Sequence, residues 1–191
     1  MSFDLFVYAS TLPADLIPQW EAQLARQGMI CSFYPGFHPV TTPMVFLPVQ
    51  VQIMPNAFPL AERYGASPLY TELELDYEDA LGEYFPEWRA SALRYAPTTF
   101  HSHLHQASCC LYFRSAAGRS LIEFRLQYFA AATLAVLTNG ILEDPQAGEF
   151  LEGVQALERA REEADAHEAR AAPDDWELPQ FTGWPDSLDG G

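Results

Sequence analysis

"SLIEFRLQYFAAATLAVLTNG", Ser120 to Gly140, is the stretch from which the fold can be read. Ser120 with Glu123 spells a capping box, the pattern that satisfies two free amides at the start of a helix, and Asn139-Gly140 supplies residues a helix uses to stop. Between these signals Leu121, Phe124, Phe129, Leu134, Val136 and Leu137 surround the helix instead of forming a stripe. A helix that is apolar all round belongs inside a core. It is expected to be the spine of the fold, with the other elements built around it.

On its N-terminal side, "SCCLYFRSA" (Ser108 to Ala116) reads as a strand turned by Ala117-Gly118. On its C-terminal side, "ILEDPQAGE" gives a short strand ending at Pro145. The next stretch, "EFLEGVQALERAREEADAHEAR", gives a helix whose apolar stripe of Phe150, Leu151, Val154 and Leu157 fades after Ala160, so its second half is expected to be solvated or frayed.

The N-terminal half follows the same grammar. "FDLFVYA" is rich in strand formers, and "ADLIPQWEAQLARQG" places Ile17, Trp20 and Leu24 at helical spacing before Gly28. "MICSFYP" is a second strand and "MVFLPVQVQIM" a third, with Val49, Val51 and Ile53 opposed to Gln50 and Gln52. Pro48 predicts that this third strand begins late, bends or lies at an edge.

After a Pro-rich loop, "YTELELDYED" alternates Leu73, Leu75 and Tyr77 with Glu72, Glu74, Asp76 and Glu78. "EYFPEWRASALRYAP" then predicts a short helix, with Pro86 in its first turn and Trp88, Ala92 and Tyr95 on one stripe.

Strands and helices interleave without repeats. The expected architecture is a single α+β domain over 1–172, a mainly antiparallel sheet with helices packed on a face. Residues 173–191 are expected to form an extended acidic tail pinned by Trp176, Phe181 and Trp184, with its last few residues disordered.

The chain has 191 residues, 49% of them hydrophobic, enough to bury roughly 70% of the unfolded surface in one core. The N-terminus lacks the basic and apolar segments of a secretory signal, and the three cysteines, two of them adjacent, do not form a disulfide framework. A cytoplasmic location is expected. Acids outnumber bases 26 to 10, the net charge is -16, and every basic residue is arginine. A field of that sign repels nucleic acid and acidic membranes and draws in basic partners.

"FHSHLHQASCC" (Phe100 to Cys110) raises the question of a metal site. On a strand His101, His103 and His105 share one face and span about 13 Å, so one zinc ion could take a neighbouring pair but not all three. His38 and His167 supply no HExxH or CxxC context. A metal-binding protein or metal-dependent enzyme using His101 and His103 is therefore the alternative reading, and a surface or interface strand the main one. Cys109 and Cys110 fall on opposite faces of such a strand, which places at least one of them in the core.

The chain carries no glycine-rich phosphate loop, no GxSxG elbow and no cysteine in a basic setting. Glu72, Glu74 and Asp76 could be read as the carboxylates of a magnesium nuclease, but a basic surface to hold a nucleic-acid backbone is missing. No enzyme activity, cofactor or metal is expected.

The acids themselves carry more information. Seven lie between Glu72 and Glu87 with no basic residue among them, and nine more follow from Glu162 against Arg170 alone. For the tail, a solvated face is the plain reading. Around the strand, Tyr70, Tyr77, Tyr84, Phe85 and Trp88 are interleaved with the acids, the combination of anchors and charge found on protein-binding surfaces. The expected contact set is Glu72, Glu74, Asp76, Glu78, Asp79, Glu83, Tyr84 and Glu87, and a nuclease is a basic protein by necessity.

The opening strand "SFDLFVYA", the Pro-bearing helix with Trp20, and the block "FAAATLAVLTNGILEDPQAGE" together resemble small bacterial immunity proteins that protect a cell from secreted toxins. More narrowly, the chain is similar to those paired with type VI secretion effectors of the restriction-endonuclease-like class. The likeness covers residues 1–50 and 108–150 and transfers no functional residue. It implies a cytoplasmic, non-enzymatic inhibitor that binds its toxin tightly. A regulator or assembly factor that binds some other protein is the remaining possibility.

Overall fold

The alternation in the strand sequences requires two faces to the sheet, one buried more deeply than the other. The structure, a computed structural model, describes residues 3–42, 45–115, 119–176 and 178–186. The Ala117-Gly118 turn, Met44, Glu177 and the last residues of the tail lie outside the described residues.

In chain order the elements are β1 (Phe3–Ala9), α1 (Leu16–Arg26), β2 (Met29–Phe33), β3 (Val45–Ile53), β4 (Leu69–Asp79), α2 (Phe85–Tyr95), α3 (His101–Gln106), β5 (Cys109–Ser115), α4 (Leu121–Thr138), β6 (Ile141–Asp144), β7 (Glu149–Glu152) and α5 (Gly153–Arg170). Short 3-10 turns connect several of them. The strands pair antiparallel in one sheet, in the order β2-β3-β4-β5-β1-β6-β7. This is the expected α+β class.

The apolar helix is α4, and it lies buried along almost its whole length. The Ser120 hydroxyl accepts from the Glu123 amide at its start, and at its end Asn139 takes the left-handed conformation at φ 48°. Gly140 follows for reasons of space, since a Cβ there would lie 2.4 Å from the Tyr8 carbonyl oxygen. Leu121–Thr138 is long and apolar enough to cross a membrane, but 83% of it is covered by the rest of the chain.

α1 and α5 flank α4 on one face of the sheet, over Leu5, Val7, Leu73, Leu75, Leu111 and Phe113. α1 buries Leu16, Trp20 and Leu24, one position round from the stripe expected at Ile17. The Trp20 indole N–H donates to the Ala130 carbonyl at 2.9 Å and to the Thr133 hydroxyl at 3.1 Å, tying α1 to α4. On the opposite face α2 and α3 make a second, smaller layer over Tyr8, Cys110, Ile141 and Phe150.

Two expectations change. The segment Glu149–Glu152 is a strand, so Phe150 and Leu151 belong to the sheet and the helix starts only at Gly153. Val154 is exposed, and the buried stripe of α5 is Ala156, Ala160, Ala164 and Glu168, which runs through the half expected to be frayed. Small alanines let α5 lie close to α4, and Glu168 is buried because Arg125 of α4 meets it there.

The second change concerns the histidines. His101, His103 and His105 lie on helix α3, because Pro97 and the 3-10 turn Thr98–Phe100 lead directly into a helical turn. Residues two apart on a helix point away from each other. The ring of His101 meets the Ala96 carbonyl and His103 pairs with Glu152 at 3.3 Å. The described residues hold no group of three or more His, Cys, Asp or Glu side chains arranged to take a metal ion. Cys109 and Cys110 do fall on β5, and both are buried.

Pro48 lies inside β3, at the point where pairing with β2 gives out. The Tyr34 amide donates to the Pro48 carbonyl at 3.1 Å, and Val45–Leu47 continues past the end of β2 with only β4 beside it. The missing amide of Pro48 is thus placed where no ladder partner is needed.

Past α5 the chain crosses back over the sheet end. Trp176 packs edge-on to Tyr64 at 5.1 Å, Gln180 bridges to Leu69, and Trp184 meets Tyr34 at 5.9 Å.

Candidate functional site

Strand parity builds the site. Because Leu69, Thr71, Leu73 and Leu75 of β4 point into the α4 layer, Tyr70, Glu72, Glu74, Asp76 and Glu78 must share the other face. The sequence places four of the expected contact residues in a row, and the register brings that row beside specific neighbours. Phe46 of β3 and Arg114 of β5 flank Glu74, and Tyr112 of β5 flanks Asp76, with Phe6 of β1 beyond it.

β4 is the third strand of seven and not an edge, so its acids do not serve to blunt a sheet edge. Glu72 is exposed and accepts the Tyr70 hydroxyl at 2.5 Å. Glu74 meets Arg114 at 3.6 Å, a half-exposed pair of the kind that contributes at most about 1 kcal/mol. Asp76 is half-buried, and burial pushes its carboxyl above the ordinary range, while the Tyr77 amide opposes the shift. Glu78 folds over the turn that follows, close against Gly82.

Asp79 points to the other side of the strand and organises that turn, its carboxylate accepting the Leu81 amide at 2.9 Å. It therefore stands off the row of the other four acids. The turn presents Leu81, which is 95% exposed. Glu83, Tyr84 and Glu87 are exposed at the start of α2, and the Tyr84 ring stacks on Trp88 at 6.0 Å. Trp88 meets both Phe6 and Tyr112 at 5.5 Å. A continuous aromatic cluster thus runs from Tyr84 through Trp88 to Phe6 and Tyr112, alongside the acids of β4.

Two anchors escaped the sequence reading. Phe46, 62% exposed, stands opposite Glu74. Carrying the alternation of Val49, Val51 and Ile53 back through Pro48 would have put it on the polar face. Glu143 is the other. It is only 8% exposed, lies beside Phe6 in the register, and accepts the Tyr8 hydroxyl at 2.9 Å.

Glu143 faces a cavity of about 510 Å³ between α2 and the β6–β7 hairpin, walled by Phe6, Tyr8, Trp88, Tyr95 and Phe150. The hairpin is fixed by Asp144, whose carboxylate takes the Tyr128 hydroxyl and the amides of Gln146 and Ala147. Burial raises the Glu143 carboxyl above its ordinary value, against the opposing Tyr8 hydrogen bond.

That shift has a sign for stability. A carboxyl whose folded value lies above the unfolded 4.5 binds its proton more tightly when folded, so the penalty is absent below pH 4.5 and grows as pH rises through the folded value. Glu143→Gln is expected to raise Tm at pH 7 by about 2–4 °C, roughly 1 kcal/mol for a chain of this size, with the gain vanishing near pH 4. Thermal melts of both proteins across this pH range check it. An equal gain at both pH values would mean that the charge carries no penalty.

Comparison of the chain with protein-family models, curated proteins and solved structures gives no match.

Proposed function

We propose that this chain is an immunity protein of the cytoplasm that binds a cognate secreted toxin and neutralises it by direct contact, the toxin being a basic effector of the nuclease class. The observation that carries this reading is the row Glu72, Glu74, Asp76 and Glu78 on one face of a central strand, set beside Phe46, Tyr112, Trp88 and Tyr84. Acids supply long-range attraction to a basic protein and aromatic rings supply the short-range anchors that slow its release.

A net charge of -16 works in the same direction. A protein that grips nucleic-acid phosphates carries a positive surface, and an acidic face complementary to it occupies the surface its substrate needs. Capture by steering and retention by buried rings require no catalytic group on this side.

The test is capture from native cells with this chain as bait, eluting with a rising salt gradient. One basic protein is expected at near equal amount, released as salt screens the contact over the Debye length. Recovery of acidic or neutral partners alone, or elution indifferent to salt, would contradict the reading.

A further inference from the structure

The cavity between α2 and the β6–β7 hairpin has an unusual make-up for its size. Five aromatic rings form its walls, and two buried acids line it: Asp144, whose carboxylate is taken up by the Tyr128 hydroxyl and the hairpin amides, and Glu143, which accepts from the Tyr8 hydroxyl at 2.9 Å. No arginine stands among the described residues that line it, and the chain has no lysine. A carboxylate removed from water without a cation beside it is costly. A cation brought from outside would remove that cost.

The walls select among cations. Phe6 and Trp88 meet edge to face at 5.5 Å, and Tyr95, 69% exposed, lines the cavity from its rim. Flat rings over a carboxylate suit a planar, weakly hydrated ion that stacks and donates two hydrogen bonds at once, which describes a guanidinium better than an ammonium. Trp88 and Phe6 line both the cavity and the aromatic cluster that runs through Tyr84 and Tyr112, which joins the cavity to the acidic row of β4.

We propose that this cavity is the specificity pocket of the interface and receives one arginine side chain of the basic partner, with Glu143 accepting its N–H groups and the rings of Trp88, Phe6 and Tyr95 stacking on it. The assignment rests on the functional reading above. Its test uses the chain alone, so that either can fail without the other.

Nα-acetyl-arginine amide is titrated into the isotope-labelled protein while the Trp88 indole resonance is followed. Saturable binding is expected with a Kd of about 1–10 mM, the range for one side chain without the rest of an interface. Nα-acetyl-norleucine amide, which keeps the stem and loses the cation, and tetramethylammonium, which keeps the charge and loses the donors, are each expected to bind at least about tenfold more weakly. Glu143→Gln, expected to fold and to melt higher, is expected to lose about tenfold in affinity, and the rim variant Tyr95→Ala several-fold.

Binding of norleucine amide or tetramethylammonium equal to that of the arginine probe would overturn the proposal, as would affinity unchanged in Glu143→Gln. Absence of saturable binding would overturn it too. Once the partner is in hand, its failure to displace the probe would remove the assignment to the partner's arginine, while loss of partner binding on reversing the β4 acids would leave the functional reading standing.

Discussion

Replacing Arg125 with methionine is expected to destabilise the protein by about 3–5 kcal/mol, the usual consequence of stripping one partner from a buried ion pair. The guanidinium is buried within α4, bonds Glu168, meets Asp165 at 2.5 Å, and lies 3.5 Å from the centre of the Phe58 ring. Burial pulls its pKa down, but the bonds to Glu168 and Asp165 more than offset this and carry it above the ordinary arginine value. Glu168 is as deeply buried as Arg125, and one of its oxygens already lacks a partner. Without Arg125 it would keep only the Tyr64 hydroxyl, at 2.5 Å.

The loss should therefore reflect an abandoned carboxylate more than a lost attraction. Arg125→Met with Glu168→Met is expected to recover most of the stability, because an apolar pair of similar volume can replace a buried ion pair at little cost. Denaturant midpoints of the two single variants and the double variant measure the coupling. Additive losses would contradict the account and would mean that α5 is held by its alanine stripe alone.

Charge reversal across Glu72, Glu74, Asp76 and Glu78 carries the largest expected effect on binding. Turning an attractive face into a repulsive one should lower affinity for the basic partner by at least about 100-fold, mainly through slower association. Glu72→Gln with Glu74→Gln, Asp76→Asn and Glu78→Gln keeps the shapes and removes only the charge, so it should fall between wild type and the reversed form. Glu72 is exposed and the Glu74–Arg114 pair at 3.6 Å is half-exposed, so changes there cost the fold little, and melts of each variant check that the half-buried Asp76 and Glu78 positions also keep it folded. Association rates across a salt series decide the matter. Equal rates for all three proteins would contradict steering by this row.

The parts of the fold legible from sequence were those where one periodicity ruled. α4 was readable because caps bracket it and its apolar residues leave no polar face, and β4 because strict alternation admits one register. α3 was not, because three histidines on alternate residues look like a strand, and only Pro97 and the turn after it start the helix. The buried half of α5 was hidden for a different reason. Glu168 looks like a solvated acid until Arg125, 43 positions away in sequence, is seen beside it.

The candidate site divides in the same way. The acids of β4 and those at the start of α2 were visible as a charge run, though not that Asp79 turns off the row and accepts the Leu81 amide. Phe46 and Glu143 were not, because their meaning comes from cross-strand neighbours. Glu143 becomes a pocket acid only when β6 pairs with β1 and α2 folds over both.

The most direct test of the central claim is growth of cells that express the captured basic partner, alone, with this chain, and with the form reversed at Glu72, Glu74, Asp76 and Glu78. The account predicts arrest by the partner alone, rescue by the wild-type chain and no rescue by the reversed one. A partner that leaves growth untouched, or a reversed chain that protects as well as wild type, would contradict it.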